Sequence, residues 1–91
     1  MSLAPTSAVH RQIAKASRRL FVQTLLDALV DDQNPGVRVQ AINELREMAA
    51  NGQVMSDDHM VSVLRDRMEK DPNTYIRLQS AAAIRDLGLG H

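Results

Sequence analysis

The side chains that could carry acid–base or metal chemistry are few and far apart. His10, His59 and His91 lie near the two ends and in the middle of the 91-residue chain, with no spacing that resembles a metal site. Asp57 and Asp58 precede His59, and such a cluster is typical of the first turn of a helix, where carboxylates face the positive end of the helix dipole. The sequence has no cysteine, no Gly-rich phosphate loop and no nucleophile elbow. It therefore predicts no catalytic residue, no metal site, no cofactor and no enzymatic activity.

Two Asp–Arg pairs have a spacing with a structural meaning. Asp32 is followed by Arg38, and Asp71 is followed at the same spacing by Arg77. We expect each Asp at the end of one helix and each Arg in the first turn of the next. The guanidinium can then bridge to the carboxylate across the turn, or to the Asp of the neighbouring pair. We interpret these four residues as a structural ladder, with direct ligand binding as the alternative.

Helices are the elements that would position these residues. Turn-forming residues divide the chain at Asn34-Pro35-Gly36, Asn51-Gly52 and Asp71-Pro72-Asn73. Apolar residues recur at helical spacing between the turns, as in Val37, Ala41, Ile42, Leu45, Met48 and Ala49. Asn34, Ser56 and Asn73 are the predicted N-caps. We predict helices over residues 8–19, 20–32, 35–50, 57–70 and 74–87. The first two form one kinked helix in the alternative, because neither Pro nor Gly separates them.

The chain carries an internal repeat. Positions 21–48 align without a gap on positions 60–87, with eight identities in the 28 positions. The identical positions include both members of each Asp–Arg pair and the turn residues Asn34 and Asn73. A unit of two helices repeated at this length is typical of helical solenoids.

The second helix of each unit opens with a specific pattern. An Asp and a short turn precede Val/Ile-Arg-x-x and a small residue, in Asp32-Gln33-Asn34-Pro35-Gly36-Val37-Arg38-Val39-Gln40-Ala41 and in Asp71-Pro72-Asn73-Thr74-Tyr75-Ile76-Arg77-Leu78-Gln79-Ser80. This pattern resembles the HEAT repeat over about residues 20–88, although the second copy has Ser80 in place of a small apolar residue. The resemblance implies an all-α fold, a right-handed α-α superhelix of about five helices. Its expected parts are a disordered or extraneous tail (1–7), a basic N-terminal capping helix (8–19) and two repeats within residues 20–91 (20–52 and 56–90).

Composition agrees with a soluble helical domain. Phe21 and Tyr75 are the only aromatic residues, so aliphatic side chains must form the core, which suits helix packing better than a β-sandwich. The first residues lack the features of a signal peptide, and no apolar run approaches the roughly 18 residues of a membrane span. The expectation is a soluble chain, and the sequence leaves the compartment open between cytoplasm and periplasm.

A basic patch marks the first helix. Arg11, Lys15, Arg18 and Arg19 are the only charged residues among the first 26, while the net charge of the chain is zero. The bland interpretation is a helix that caps one end of the stack and keeps its charges solvated. The alternatives are contact with an acidic protein, and contact with nucleic acid or an anionic membrane. No aromatic residue alternates with these cations, which disfavours stacking on bases.

A candidate protein-binding face lies on the second helix of each unit. Residues opposite the apolar arc of the first copy, together with their aligned counterparts in the second copy, are Val39, Asn43, Arg46, Leu78, Ala82 and Arg85. Aliphatic and Arg side chains are well tolerated at protein interfaces. In the alternative, Val39 and Leu78 simply pack on neighbouring helices.

The leading functional hypothesis is a non-catalytic protein-interaction or scaffold module in a larger bacterial regulatory protein. The second turn is similar to that of short HEAT pairs in the C-terminal region of bacterial membrane-bound anti-sigma factors, so the resemblance implies a regulatory or sensor role. The zinc-binding segment and membrane span of that family are missing from this sequence. The competing hypothesis is a nucleic-acid-binding HEAT-like module that uses the basic helix. Two repeats are fewer than the three or so that normally bury a solenoid core, so the ends need cover. The first helix can cover one end, and a second copy of the chain or the rest of a longer protein can cover the other, so a homo-oligomer is also expected.

Overall fold

The computed structural model describes the backbone of residues 4–88 and the side chains of residues 16–88. Within these residues the chain is all-helical. The helices are α1 (Ala4–Asp31), α2 (Pro35–Ala50), α3 (Asp58–Lys70) and α4 (Thr74–Asp86). None of these helices is both long enough and apolar enough to cross a bilayer.

The first helix differs from the prediction. α1 is continuous over 28 residues, so the predicted break between residues 19 and 20 is wrong and the single-helix alternative is the one observed. Its one Pro, at position 5, lies in the first turn, where a missing N–H costs no hydrogen bond. Residues 4–7, expected in a tail, are helical. Residues 16–19, the described end of the predicted capping helix, are all exposed.

The other helix boundaries follow local sequence signals. α2 begins after the N-cap Asn34 and α4 after the N-cap Asn73, both as predicted. α3 is capped by Asp57 rather than Ser56, because the Asp57 side chain accepts a hydrogen bond from Met60 N at 2.8 Å. Gly52 follows α2 with φ of 67°, the left-handed conformation expected at a helix stop.

The four helices form two layers. α1 packs on α2 and α3 packs on α4, which makes two hairpins. Between the hairpins, α1 packs on α3 and α2 packs on α4, whereas α1 and α4 make no contact, nor do α2 and α3, in the described part of the chain. The ends of the first helix of each hairpin, Asp31 in α1 and Lys70 in α3, are aligned positions of the sequence repeat. The hairpins α1–α2 and α3–α4 are therefore the two copies of that repeat, called the first and second repeat below.

One continuous core joins the two repeats. Its fully buried members come from every helix and include Leu29, Ile42, Met60, Leu64 and Ile76. Burying an aliphatic side chain of this size contributes roughly 1.5–3 kcal/mol. Two residues predicted to belong to the core, Val37 and Ala49, are only half-buried.

Candidate functional site

The bends of the two hairpins have the same local structure. Asp32 Oδ1 accepts a hydrogen bond from Asn34 N at 2.9 Å, and Asp71 Oδ1 accepts one from Asn73 N at 2.9 Å. Each Asn side chain then caps the helix that follows. The repeated Asp-x-Asn sequence therefore closes both turns through short-range bonds alone.

The Arg of each pair contacts its own bend through the main chain. Arg38 Nη1 donates to Asp32 O at 3.0 Å, and Arg77 Nη1 donates to Asp71 O at 2.6 Å. The predicted bridge from guanidinium to carboxylate within one turn is therefore wrong. The carboxylate is already turned toward the Asn amide, whereas a carbonyl at a helix end lacks an intrahelical donor and is free to accept the guanidinium.

A buried ion pair connects the two repeats. Arg38 Nε donates to Asp71 Oδ2 at 3.1 Å and Arg38 Nη2 donates to Asp71 Oδ1 at 3.3 Å, so the guanidinium of the first repeat binds the carboxylate of the second with two bonds. Arg67 Nη1 also donates to Asp71 Oδ2, at 3.3 Å. Both Arg38 and Asp71 are buried. With the Asn73 amide, the Asp71 carboxylate accepts four hydrogen bonds, which offset the loss of its hydration.

Arg67 extends this network to the surface of α3. Its Nη2 donates to Asp66 Oδ2 at 2.6 Å, and Lys70 Nζ lies 3.5 Å from Asp66 Oδ1. The hydrogen bond from Arg67, together with the charges of Arg67 and Lys70, holds the pKa of Asp66 below its ordinary value. Asp66 thus keeps its negative charge beside Arg67 to a more acidic pH than an isolated Asp does.

The remaining two members of the ladder lie at opposite ends of the stack. Among residues 16–88, no Arg, Lys or His nitrogen lies within salt-bridge distance of the Asp32 carboxylate, and no carboxylate lies within that distance of the Arg77 guanidinium. Arg77 Nη2 instead donates to Thr74 Oγ1 at 2.9 Å. The structure therefore brings together one ion pair of the ladder, between Arg38 and Asp71.

The predicted protein-binding face is partly an internal contact. Arg46 donates through Nε and Nη2 to Asp86 Oδ2, at 3.1 and 3.0 Å, and through Nη1 to Gln79 Oε1 at 2.6 Å. These bonds connect α2 to α4. Ala82 is buried, so its placement on an exposed face is wrong. Its counterpart Asn43 lies on the open side of the first repeat, whereas the equivalent position of the second repeat is covered by the first.

The exposed remainder of that face is a small apolar surface. Leu78 is 63% exposed and Tyr75, one turn before it on α4, is 43% exposed. Tyr75 Oη donates to Asn43 Oδ1 at 2.8 Å, and Val39, one turn before Asn43 on α2, is half-buried against the core. We call Val39, Asn43, Tyr75 and Leu78 the α2–α4 ledge. Sequence reasoning missed Tyr75, although its spacing of three from Leu78 on a helix could have indicated it.

Of the basic patch, Arg18 and Arg19 are exposed on α1. They line a shallow pocket together with Val22 on the same helix and residues of the loop between α2 and α3. The side chains of Arg11 and Lys15 lie outside the described residues.

No group of three or more metal-binding side chains occurs among the described residues. His59 lies on the surface, where Gln23 Nε2 donates to its Nε2 at 3.3 Å when that nitrogen is unprotonated. His10 and His91 lie outside the residues whose side chains are described. Comparison with known proteins gives no match to a family model, to a curated protein or to a solved structure.

Proposed function

We propose that the chain is a non-catalytic protein-interaction module: two HEAT-type repeats, stacked as a short right-handed superhelix, that present a surface to a partner protein. In this proposal it is the regulatory or sensor part of a larger bacterial protein, similar to the C-terminal HEAT region of anti-sigma factors. Support comes from the repeated hairpin, the shared bend and the two-layer contact pattern. The Arg38–Asp71 pair has a structural role here, since each buried nitrogen and oxygen of the two side chains already has a hydrogen-bond partner within the chain.

The observation that carries the proposal is the α2–α4 ledge. An exposed Leu beside a partly exposed Tyr offers the apolar and aromatic contact that protein interfaces use as energetic centres. Neither side chain contributes to the core that joins the repeats. Tyr75 contacts the first repeat through its hydroxyl, so the exposed faces of both side chains remain available to a partner.

The ledge is also fixed in place before any partner arrives. Ile76 and Ala83, on the opposite side of α4, are buried in the core. The hydroxyl of Tyr75 is held by Asn43 on α2. A surface whose side chains are already ordered loses less conformational entropy on binding, and this favours affinity.

The test is capture of a partner from native cell extract with three immobilised chains. The bait proteins are the natural chain, Leu78→Glu and the control Met55→Glu. Met55 is 90% exposed in the loop before α3, outside the ledge, so the control introduces the same charge in place of an exposed apolar residue. Circular dichroism checks that all three chains are folded.

We expect a protein that the natural chain and Met55→Glu retain and that Leu78→Glu loses, because a charge at the ledge cannot be buried in an apolar interface. Equal retention by all three chains would contradict the ledge as the binding surface. Extracts are treated with nuclease before capture. Loss of capture on this treatment would favour the competing nucleic-acid hypothesis, for which exposed Arg18 and Arg19 are the described support.

A further inference from the structure

The two repeats differ in which of their sides is covered. Met60 in the second repeat is 2% exposed, whereas its counterpart Phe21 in the first is 45% exposed. Ile76 is fully buried, whereas its counterpart Val37 is half-buried. The first repeat covers this side of the second, and nothing in the described chain covers the same side of the first. The open side of the first repeat therefore corresponds to the surface that the second repeat buries against the first, but it is exposed.

The open side of the first repeat forms a groove of about 600 Å³ between α1 and α2. Its lining includes Phe21, Thr24, Val37 and Glu44. In the second repeat the counterparts of these four residues are all buried, and they are Met60, Val63, Ile76 and Ala83. The groove residues of the first repeat thus occupy the same repeat positions as the residues with which the second repeat packs on the first.

We propose that this groove binds the open face of the second repeat of another copy of this chain, so that copies stack head to tail. The second repeat of one copy contacts the first repeat of the next copy through the same repeat positions that join the two repeats within one chain. This inference rests on the stacked-repeat architecture proposed above. The stacking surfaces share two residues with the α2–α4 ledge, because Asn43 lines the groove and Leu78 is the counterpart of Val39, which packs against the core. Glu47 and Arg85, which the test below changes, lie outside the ledge.

The first argument for a second copy as the occupant comes from Asp32 and Arg77, the two ladder residues that the internal junction does not join. Within the chain, Arg38 of one repeat binds Asp71 of the next. In head-to-tail stacking the same contact joins Arg77 of one copy to Asp32 of the other. In the described part of the chain neither side chain has an ionic partner within salt-bridge distance. Each is already oriented by its own bend, Asp32 by the Asn34 amide and Arg77 by Asp71 O.

The second argument comes from the contact of Arg46 with α4, whose residue types recur at the two open ends of the stack. Arg46 of the first repeat binds Asp86 and Gln79 of the second. The counterpart of Arg46 on the open face is Arg85, which is exposed, and the counterparts of Asp86 and Gln79 are Glu47 and Gln40. The intermolecular contact therefore has a guanidinium, a carboxylate and an amide oxygen in the same order.

The charges on the second helices of the two ends are complementary. Arg77 and Arg85 lie on α4 of the second repeat, and Glu44 and Glu47 lie on α2 of the first repeat, with Asp32 in the bend before α2. On α3, the open face carries Arg65 together with the acidic residues Asp58, Asp66 and Glu69. Two of these charges replace residues that are apolar in the internal junction, because Arg65 corresponds to Leu26 and Glu44 to Ala83. The ends thus bury less apolar surface than the internal junction, so we expect reversible and salt-sensitive association.

Association of this kind has no closed dimer. The two contacting surfaces are different, so each added copy leaves one groove and one open face free. Species larger than dimers therefore form as concentration rises.

The test is sedimentation equilibrium of the full chain at concentrations up to about 1 mM, where even a weak complex is populated. The variants are Glu47→Arg and Arg85→Glu, each changing an exposed residue at one end. Each variant alone places like charges against each other and weakens association by about tenfold or more. An equimolar mixture of the two variants restores association. The unchanged open face of Glu47→Arg carries Arg85, which meets Glu47 in the unchanged groove of Arg85→Glu. The two altered ends also place an Arg against a Glu.

The control is Met55→Glu, which introduces a charge in the exposed loop before α3 and leaves both ends intact. It associates like the natural chain if the ends form the contact, whatever the outcome of partner capture. A chain that is monomeric up to about 1 mM would overturn the proposal. So would association that stops at a dimer, association that the charge reversals leave unchanged, or a mixture of the two variants that stays dissociated.

Discussion

The bends at Asp32 and Asp71 have the same short-range bonds and different surroundings. In both, the carboxylate accepts the amide of the following Asn, the Asn caps the next helix, and the Arg in the first turns of that helix donates to the Asp carbonyl. Only the Asp71 carboxylate is fully buried and bound by guanidinium groups, from Arg38 and Arg67. Asp32 is half-buried at the open end of the stack.

This difference separates what local sequence determines from what stacking determines. The turn, the cap and the contact from Arg to carbonyl need only residues that are close along the chain, so they occur twice. The buried ion pair needs two repeats side by side, so it occurs once among the described residues. Equivalent substitutions in the two repeats should therefore have equal effects where the interaction is local and unequal effects where it belongs to the junction.

The largest inequality is expected for Asp71→Asn against Asp32→Asn. An Asn at either position keeps an oxygen for the amide of the turn, but at position 71 it leaves buried Arg38 without its counter-charge. We expect a loss of about 3–5 kcal/mol in the free energy of unfolding for Asp71→Asn, and less than about 1 kcal/mol for Asp32→Asn. Urea unfolding followed by circular dichroism measures both. Equal losses would remove the distinction between the two bends.

The apolar counterparts Ile76 and Val37 should differ in the same direction. Ile76 is fully buried between the repeats, so Ile76→Ala creates a cavity and costs about 2–5 kcal/mol. Val37 faces the open groove, so the neighbouring space can fill with water and Val37→Ala costs about 1 kcal/mol or less. Thermal and urea unfolding of the two variants make the comparison. Similar costs would mean that the first repeat is covered as well as the second.

The N-caps test the opposite half of the comparison. Asn34→Ala and Asn73→Ala each remove one side-chain acceptor from a helix start, a local interaction worth about 0.5–2 kcal/mol. We expect the two losses to agree within about 0.5 kcal/mol, the usual additivity error of independent sites. A much larger loss at Asn73 would show that the cap also contributes to the junction.

The smallest effect concerns Ser80, whose counterpart in the first repeat is Ala41. Both residues are buried, and among the described residues Ser80 Oγ has no hydrogen-bond partner. Ser80→Ala therefore removes an unsatisfied hydroxyl and is expected to raise the free energy of unfolding by up to about 1 kcal/mol. Ala41→Ser should lower it by a similar amount. A stability loss for Ser80→Ala would indicate that the hydroxyl is bonded in solution.

The helix boundaries could be predicted because their signals are local, and the repeat because its two copies keep identical residues at aligned positions. Pro35 with Asn34, and Asn73 with the preceding Pro72, determine where α2 and α4 begin, and the predicted range 35–50 is the observed range of α2. The break between residues 19 and 20 was wrong because neither Pro nor Gly lies there to interrupt the helix.

The site was harder to predict because its contacts depend on how the two repeats pack against each other. Arg38 has the Asp32 carboxylate, the Asp32 carbonyl and the Asp71 carboxylate within reach, and spacing along the chain cannot rank them. Ala82 was placed on an exposed face by analogy with Asn43, although the first repeat covers Ala82 and nothing in the described chain covers the same side of Asn43. Tyr75 was missed because its counterpart is Gly36, so comparison of the two copies gave it no weight.

A double-mutant cycle between Arg38 and Asp71 tests most directly that the ion pair between repeats, and not a pair within the turn, holds the stack. The free energy of unfolding is measured for Arg38→Ala, Asp71→Ala and the double variant, and again with Asp32→Ala in place of Asp71→Ala. We expect a coupling energy of about 1.5–3 kcal/mol for Arg38 with Asp71. For Arg38 with Asp32 we expect a value near zero, because Asp32→Ala leaves the carbonyl that Arg38 binds. A coupling near zero for Arg38 with Asp71, or an equally large one with Asp32, would contradict the account.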